Sequence, residues 1–181
     1  MDDIKQKLQE GSLVPFLGMG IFKNTVAKDG TPLPFDSDSM ILALNNGRAM
    51  SPRLMYEYSR AAMSLEQRKG REFIVQMTNH IYSSKEYELP LTYQWLKTIQ
   101  PKYVIDTNVD DSLLKIYDDV DHILITGISR ITADYDRFII YQFDATSQTY
   151  AQISKDELTL DLPILLKPMG STQPAMNFII S

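Results

Sequence analysis

The chain has 181 residues, of which 44% are hydrophobic and 23% are charged, and this composition is typical of a single globular domain spanning residues 1–181. It contains no cysteine, which excludes a disulfide scaffold, a thiol nucleophile, a cysteine-ligated zinc site and an iron–sulfur cluster, and favours a cytoplasmic location. The net charge of −5 and the lack of an apolar run of about 20 residues predict that neither nucleic acid nor a membrane is a partner.

The first predicted elements are a short helix, a strand and a glycine turn. Ile4 and Leu8 share one helix face, and Gly11 supplies the stop. An apolar run over residues 13–17 then predicts a strand, which leads into Gly18–Met19–Gly20. Closely spaced glycines after a strand let backbone amides approach a pyrophosphate, although the same spacing also occurs in plain turns.

A helical region is predicted after a polar loop. Its first helix is capped by Asp36 or Ser37, and apolar residues at helical spacing continue to about residue 83. Ser64 and Gln67 have the spacing of a capping box. We therefore predict that one helix ends before Ser64 and that another begins there.

A second strand–loop–helix unit follows. Residues 90–99 predict a helix and residues 102–105 a short strand, after which Asp106–Asp110 (DTNVD) place several polar groups just past the strand end. Such groups suit a ligand site. They also suit a plain helix cap, in which Asn108 or Asp110 accepts hydrogen bonds from amides of the next helix.

The last third of the chain predicts β-structure. Strands are predicted at residues 123–125, 137–141, 150–153, 162–166 and 178–180. Because strands alternate with helices in the first part, we predict an α/β fold with a parallel sheet flanked by helices and an added β-rich stretch in the C-terminal third. Ligands of such folds bind at the carboxyl ends of the strands.

Few side chains in the sequence suit acid–base or metal chemistry. The two histidines, His80 and His122, have no second histidine or carboxylate at ligand spacing, so we interpret both as structural or solvated and predict no metal site. Ser171 and Thr172 have no visible base to activate them, which argues against a nucleophilic triad.

Three short segments, taken in order, match a family pattern. They are LVPFLGMGIF at Leu13–Phe22, VIDTNVDDSLL at Val104–Leu114 and KPMGS at Lys167–Ser171. In this order they resemble the sirtuin-like domain family, which has a Val-Pro-Phe strand running into Gly-Ala-Gly, then Thr-Thr-Asn-Tyr-Asp, then Lys-Leu-His-Gly-Ser. The resemblance implies a three-layer, Rossmann-like parallel sheet across which an NAD molecule lies.

The resemblance also implies a site for NAD or ADP-ribose. It places Gly18 and Gly20 at the phosphates and Asn108 beside the nicotinamide ribose with Asp110 nearby, so that Asn108 and Asp110 are the implied catalytic residues for cleavage of the nicotinamide–ribose bond. The implied cofactor-binding residues are Gly18, Met19, Gly20, Ile21, Phe22, Thr107, Asn108, Met169, Gly170 and Ser171. Bacterial relatives without a zinc module typically hydrolyse NAD, often in phage defence, and the lack of cysteine agrees with that branch.

This chain departs from the family at positions that matter for chemistry. Met169 takes the place of the catalytic histidine, and a thioether cannot accept a proton. Met19 and Phe22 replace a small residue and a hydroxyl residue in the glycine turn. Three functions stay open: a weakened NAD hydrolase, a non-catalytic NAD or ADP-ribose sensor, and a protein-interaction scaffold whose pocket is filled by Met19, Phe22 and Met169.

Family members continue with further strands after the segment that corresponds to KPMGS. The resemblance therefore implies that a domain ending at Ser181 lacks its last strands. Either the sequence is cut short or the fold is reduced, and it stays open whether a downstream domain or a second copy in a homo-oligomer completes the site.

Overall fold

A computed structural model describes residues 2–83, 85–128, 137–174 and 177–179. The chain divides into two compact units. The first comprises Met1–Gly18 and Leu91–Ile179, and the second comprises Met19–Pro90 and Ile180–Ser181. Residue 180, with which the last predicted strand ends, lies outside the described residues.

The described helices fall in both units. They are α1 (Asp2–Glu10), α2 (Ser37–Leu44), α3 (Pro52–Met55), α4 (Tyr58–Lys69), α5 (Arg71–Tyr82), α6 (Leu91–Ile99) and α7 (Ser112–Lys115). Two short 3-10 helices, Met19–Phe22 and Lys155–Glu157, accompany them. Within the described ranges, none of the helices combines the length and the apolar character that crossing a bilayer requires.

The first unit is built on a six-stranded sheet, which makes the protein mixed α/β as predicted. Its strands are β1 (Phe16–Leu17), β2 (Tyr103–Asp106), β3 (His122–Gly127), β4 (Phe138–Asp144), β5 (Thr149–Ile153) and β6 (Ile164–Lys167). They lie in the order β1-β2-β6-β3-β4-β5. The first four strands of this order are mutually parallel, whereas β4 pairs antiparallel with β3, and β5 pairs antiparallel with β4. A separate antiparallel pair joins β7 (Gly170–Ser171) to β8 (Asn177–Phe178).

Burial differs between the parallel and the antiparallel part of the sheet. Five of the six residues of β3, which pairs parallel with β6, are buried, and such nearly continuous burial is typical of a parallel strand that is covered on both faces. In β4 only Ile140 and Phe143 are buried among exposed and half-buried neighbours, so this strand buries less of its surface. The β-rich stretch predicted for the C-terminal third is therefore not an addition to the parallel sheet: β3 and β6 from this stretch lie in its parallel part, and only β4 and β5 form its antiparallel end.

The first helix ends where the glycine rule predicts. Gly11 has φ +80°, and an added Cβ there would lie 2.5 Å from the Tyr103 ring. Only glycine meets both conditions, so it ends α1 and lets the chain pass close to β2. The following strand is shorter than the predicted 13–17, because pairing with β2 begins at the carbonyl of Pro15, which accepts from the amide of Ile105 at 3.0 Å.

The second unit is helical in its described part. The predicted start of α2 is confirmed, with Asp36 as the cap: its carboxylate accepts from the amide of Ser39 at 2.8 Å, and the Ser39 hydroxyl accepts from the amide of Asp36 at 3.1 Å. The predicted capping box at Ser64 and Gln67 is wrong. Both residues lie inside α4, and the break comes at Gly70, whose φ of +87° interrupts the helical backbone.

Candidate functional site

The predicted binding loops of the first unit lie at the carboxyl ends of adjacent parallel strands. Thr107, just after β2, donates from its amide and its hydroxyl to the carbonyl of Leu17 in β1, at 3.0 and 2.9 Å. An added Cβ on Gly18 would lie 3.8 Å from the Thr107 hydroxyl oxygen. The structure therefore brings Gly18 and Thr107 together, as expected for neighbouring strand ends.

The segment after β6 joins the same edge. The amide of Thr172 donates to the carbonyl of Val109 at 2.8 Å, which ties the residues after β7 to the loop after β2. The Thr172 hydroxyl is buried and makes no hydrogen bond within the described part of the chain. A buried hydroxyl of this kind can take its partner from an ordered water or from a bound molecule.

A fully buried ion pair stands behind these loops. Lys167, the last residue of β6, lies 3.2 Å from the Oδ2 of Asp106, the last residue of β2, and both side chains have 0% relative exposure. Tyr93 in α6 donates to the same Oδ2 at 2.9 Å. Removing two charges from water is costly, and these additional hydrogen bonds offset part of that cost.

Asn108 is connected to this pair through both its backbone and its side chain. Asp106 Oδ1 accepts from the Asn108 amide N–H at 2.9 Å and from its side-chain Nδ2 at 2.8 Å, while Nδ2 also approaches the Tyr93 hydroxyl at 3.3 Å. Lys167 Nζ donates to the Asn108 carbonyl at 2.5 Å. The backbone and side chain of the implied catalytic asparagine are therefore fixed by buried charges.

Asp110 accepts a hydrogen bond at the start of α7. Its Oδ2 accepts from the amide of Ser112 at 2.9 Å, so it meets an amide of the following helix as the capping interpretation predicts, although the N-cap position itself is Asp111, whose side chain makes no capping hydrogen bond. The side chain of Asn108 bonds to Asp106 instead. Burial raises the pKa of the Asp110 carboxyl, and the charge of Asp106 adds to this while that of Lys167 opposes it. The Asp110 side chain has no exposed surface, and its hydrogen bond to Ser112 orients the loop between β2 and α7.

Tyr93 is suited to remain a hydrogen-bond donor. Burial raises the pKa of its hydroxyl well above the usual value, and the charges of Asp110 and Asp106 act in the same direction. The neutral phenol is what donation to the Asp106 carboxylate requires.

Met169 and its neighbours follow β6 in a turn. Gly170 has φ +88°, a backbone conformation that favours glycine, and Ser171 is buried. The carbonyl of Met169 accepts from the amide of Ile179 at 2.7 Å. The half-buried thioether of Met169 supplies no proton acceptor at the position where the resemblance expects one.

The remaining predicted cofactor residues belong to the second unit. Met19, Gly20, Ile21 and Phe22 form a 3-10 helix in which Gly20 is exposed. Phe22 is fully buried, with its ring centroid 5.7 Å from that of Tyr82 and 6.2 Å from that of Tyr87. The Phe22 side chain is thus part of the apolar core of this unit.

His122 is a structural residue, as the sequence indicates. It is buried at the start of β3, where Nδ1 donates to the carbonyl of Val120 at 2.8 Å and Nε2 accepts from the hydroxyl of Tyr150 at 3.0 Å. Burial lowers the pKa of its imidazole, so the ring is held neutral. His80 is exposed late in α5, and among the residues with described positions no three histidines or acids are grouped as metal ligands.

The sequence analysis did not assign Tyr93 and Lys167 to the site, and it included Asp106 only as one of the polar groups after the predicted strand. Asp106 and Lys167 could have been recognised from the sequence. The strands β2 (YVID) and β6 (ILLK) are mostly apolar, and β2 ends on a negatively charged residue while β6 ends on a positively charged one. Parallel neighbours place such terminal residues at one edge of a sheet. Tyr93 could not be recognised as a site residue, because in the sequence it is one of the residues on the apolar face of α6.

Comparison with known proteins adds no family assignment. No protein-family model matches the chain, and no curated protein matches it at a significant level.

Proposed function

We propose that this chain is a sirtuin-like domain with a three-layer, Rossmann-like architecture that binds NAD or ADP-ribose at the carboxyl ends of β1, β2 and β6. The observation that carries the proposal is the arrangement of Asn108, which is held by Asp106 and Lys167 at the edge formed by these parallel strands. Polar loops at this edge are the usual place for a nucleotide in open α/β sheets.

The residues at this edge fit a ribose-containing ligand. Asn108 offers an amide in a fixed position. Thr107 lies beside Gly18, which has no side chain to keep a ligand away from the backbone. The Thr172 hydroxyl is buried without a partner in the described chain and would gain one from a polar ligand group. The roles of Met19, Gly20, Ile21 and Phe22 at the phosphates stay predictions from the resemblance.

The proposed domain binds the dinucleotide and cleaves it poorly. Cleavage of the nicotinamide–ribose bond gains from a base that accepts a proton, and Met169 cannot act as one. Loss of a general base typically costs on the order of 10² to 10⁴ in rate. We therefore propose a binding protein for NAD or ADP-ribose with little or no hydrolase activity, acting in the cytoplasm.

A scaffold without a nucleotide pocket is the alternative. The burial of Phe22 against Tyr82 and Tyr87 favours it, because an aromatic ring committed to the core is unavailable to a ligand.

A calorimetric titration of the full chain with NAD and with ADP-ribose tests the proposal, followed by an assay of the same sample for released nicotinamide. Binding with no release, or with slow release, supports the proposal. The absence of binding to both ligands contradicts it and leaves the scaffold.

A further inference from the structure

The helical second unit contains a cavity of about 400 Å³ that the candidate site does not use. It is lined by residues at the end of α2, in and before α3, and in α4, and these three helices pack on one another. None of the lining residues belongs to the strand-edge loops of the first unit or to the 3-10 helix Met19–Phe22. The volume falls within the range of about 300–1,000 Å³ that is usual for small-molecule sites.

Arg68 is the charged residue of this lining. Its Nε donates to the carbonyl of Ser64, one turn earlier in α4, at 3.2 Å, which ties the guanidinium to the helix. Its terminal nitrogens Nη1 and Nη2 have no hydrogen-bond or ion-pair partner among the residues that the structure describes. Glu66, the acid nearest to it in the sequence, pairs with Arg71 at 3.2 Å. The outer edge of the Arg68 guanidinium is therefore available to an anion.

Two serine hydroxyls of the lining are further hydrogen-bond donors. Ser51 is the N-cap residue of α3, but its side chain makes no capping hydrogen bond. The Ser64 hydroxyl likewise has no hydrogen-bond partner within the described ranges. The remaining polar residue, Asn45, donates from its Nδ2 to the carbonyl of Arg48 at 2.6 Å. The lining thus combines one cation and two unused hydroxyls with no acidic side chain, and this chemistry suits an anion.

The rest of the lining is apolar. Met50 and Leu54 are half-buried, and no residue of α3 is buried, so apolar surface of this short helix is left uncovered. A hydrocarbon chain placed against these side chains would leave water, which is favourable. The single guanidinium balances one negative charge, and its planar fork matches the two oxygens of a carboxylate. A phosphate monoester carries a charge of about −1.5 to −2 at neutral pH, which one guanidinium does not balance.

We propose that this cavity is a separate ligand site, which takes a small organic acid with a single carboxylate and an apolar body. The carboxylate pairs with Nη1 and Nη2 of Arg68 and accepts from the hydroxyls of Ser51 and Ser64. The apolar body lies against Met50 and Leu54. The inference goes beyond the proposed nucleotide site and does not depend on it, because the two sites share no residue.

Hexanoate is a suitable probe, because it joins one carboxylate to a short apolar chain. Titrated into the isotopically labelled full chain and followed by nuclear magnetic resonance, it should bind with a Kd of about 1 mM or lower and shift the backbone signals of Asn45, Ser64 and Arg68. Hexanamide has nearly the same shape without the charge and should bind at least about tenfold more weakly. Acetate lacks the apolar chain and should also bind at least about tenfold more weakly.

Two pairs of variants provide matched controls. Arg68→Gln should weaken hexanoate binding at least about tenfold, whereas Arg60→Gln makes the same change at an exposed residue of α4 outside the lining and should leave the affinity unchanged. Ser51→Ala should weaken binding about threefold or more, and Ser59→Ala, also exposed on α4, should not. Because Arg68 and Ser51 are exposed, both variants should unfold at the same temperature as the unmodified chain.

Several results would overturn the inference. They are the absence of any shift with hexanoate, shifts confined to residues of the first unit, equal binding of hexanoate and hexanamide, and an unchanged affinity in Arg68→Gln. Equal affinities for hexanoate and acetate would contradict the contact with an apolar body. Tighter binding of inorganic phosphate than of hexanoate would contradict the assignment to a carboxylate. Failure of NAD to bind would leave the inference intact, because the signals that report on the two sites come from different residues.

Discussion

Asp106 and Lys167 meet at 3.2 Å as a fully buried ion pair at the ends of the neighbouring parallel strands β2 and β6. The pair connects the fold to the candidate site, because the same two side chains hold the backbone and the amide of Asn108. Neither charge has water to solvate it, so each depends on the other.

Loss of one member of this pair should destabilise the protein strongly. Lys167→Met leaves Asp106 as an uncompensated buried charge, and we expect a loss of about 3–5 kcal/mol in the free energy of unfolding. The double variant Asp106→Asn/Lys167→Met should recover a large part of this loss, because no buried charge remains. Urea denaturation measures both, with Lys97→Met on the surface as a control that should change stability by less than about 1 kcal/mol. A double variant that is less stable than Lys167→Met would contradict the account.

The stability of the protein should fall as the pH is lowered past the usual pKa of histidine. The folded pKa of His122 is lowered by burial, so the unfolded chain binds this proton more readily than the folded chain. The contribution of His122 is thus fully present above its unfolded pKa of about 6.5 and is lost as the pH falls below that value. Urea midpoints between about pH 5 and pH 8 should depend less on pH in His122→Gln. The exposed His80→Gln serves as the control and should keep the original pH dependence, whereas an unchanged pH dependence in His122→Gln would exclude His122 as its source.

Two glycines should not tolerate alanine. At Gly11 a Cβ would lie 2.5 Å from the Tyr103 ring on a backbone with positive φ, and at Gly127 it would collide with the carbonyl oxygen of Pro168. We expect each alanine substitution to cost about 1–3 kcal/mol in thermal or urea unfolding. Gly20→Ala is the matched control, since nothing lies within 4 Å of its added Cβ, and it should be nearly neutral. Unfolding transitions for Gly11→Ala and Gly127→Ala that match that of Gly20→Ala would contradict the described close approaches.

Restoring a base should restore cleavage if the rest of the site is intact. Met169→His places an imidazole at the position where the resembling family has its catalytic histidine, and the expected gain in nicotinamide release is on the order of 10² to 10⁴. Met63→His, at an exposed position of α4, controls for a histidine added elsewhere. A variant that binds NAD and shows no gain would mean that other groups needed for cleavage are absent.

Local features of the sequence predicted the elements better than the site. Gly11 and Asp36 act within a few residues of themselves, so the end of α1 and the start of α2 followed from the sequence. The Ser64–Gln67 pattern failed because it fits the interior of a helix equally well, and Gly70 supplied the break.

The core of the candidate site depends on contacts between distant residues. Asp106 and Lys167 are 61 positions apart, and their contact exists only because β6 lies beside β2 in the sheet. The sequence placed Asn108 and Asp110 after a strand correctly. It could not tell that Asn108 would bond to Asp106 and that, of the two, only Asp110 would accept from an amide of α7, because both side chains suit that role.

The most direct test of the central claim is a calorimetric titration of Asn108→Ala with ADP-ribose, beside the unmodified chain and the control Asn79→Ala, which makes the same change on helix α5. The account predicts that the unmodified chain and Asn79→Ala bind with equal affinity, and that Asn108→Ala binds at least about tenfold more weakly while remaining folded. Equal affinity in all three proteins would place the ligand elsewhere and contradict the assignment of this strand edge as the nucleotide site.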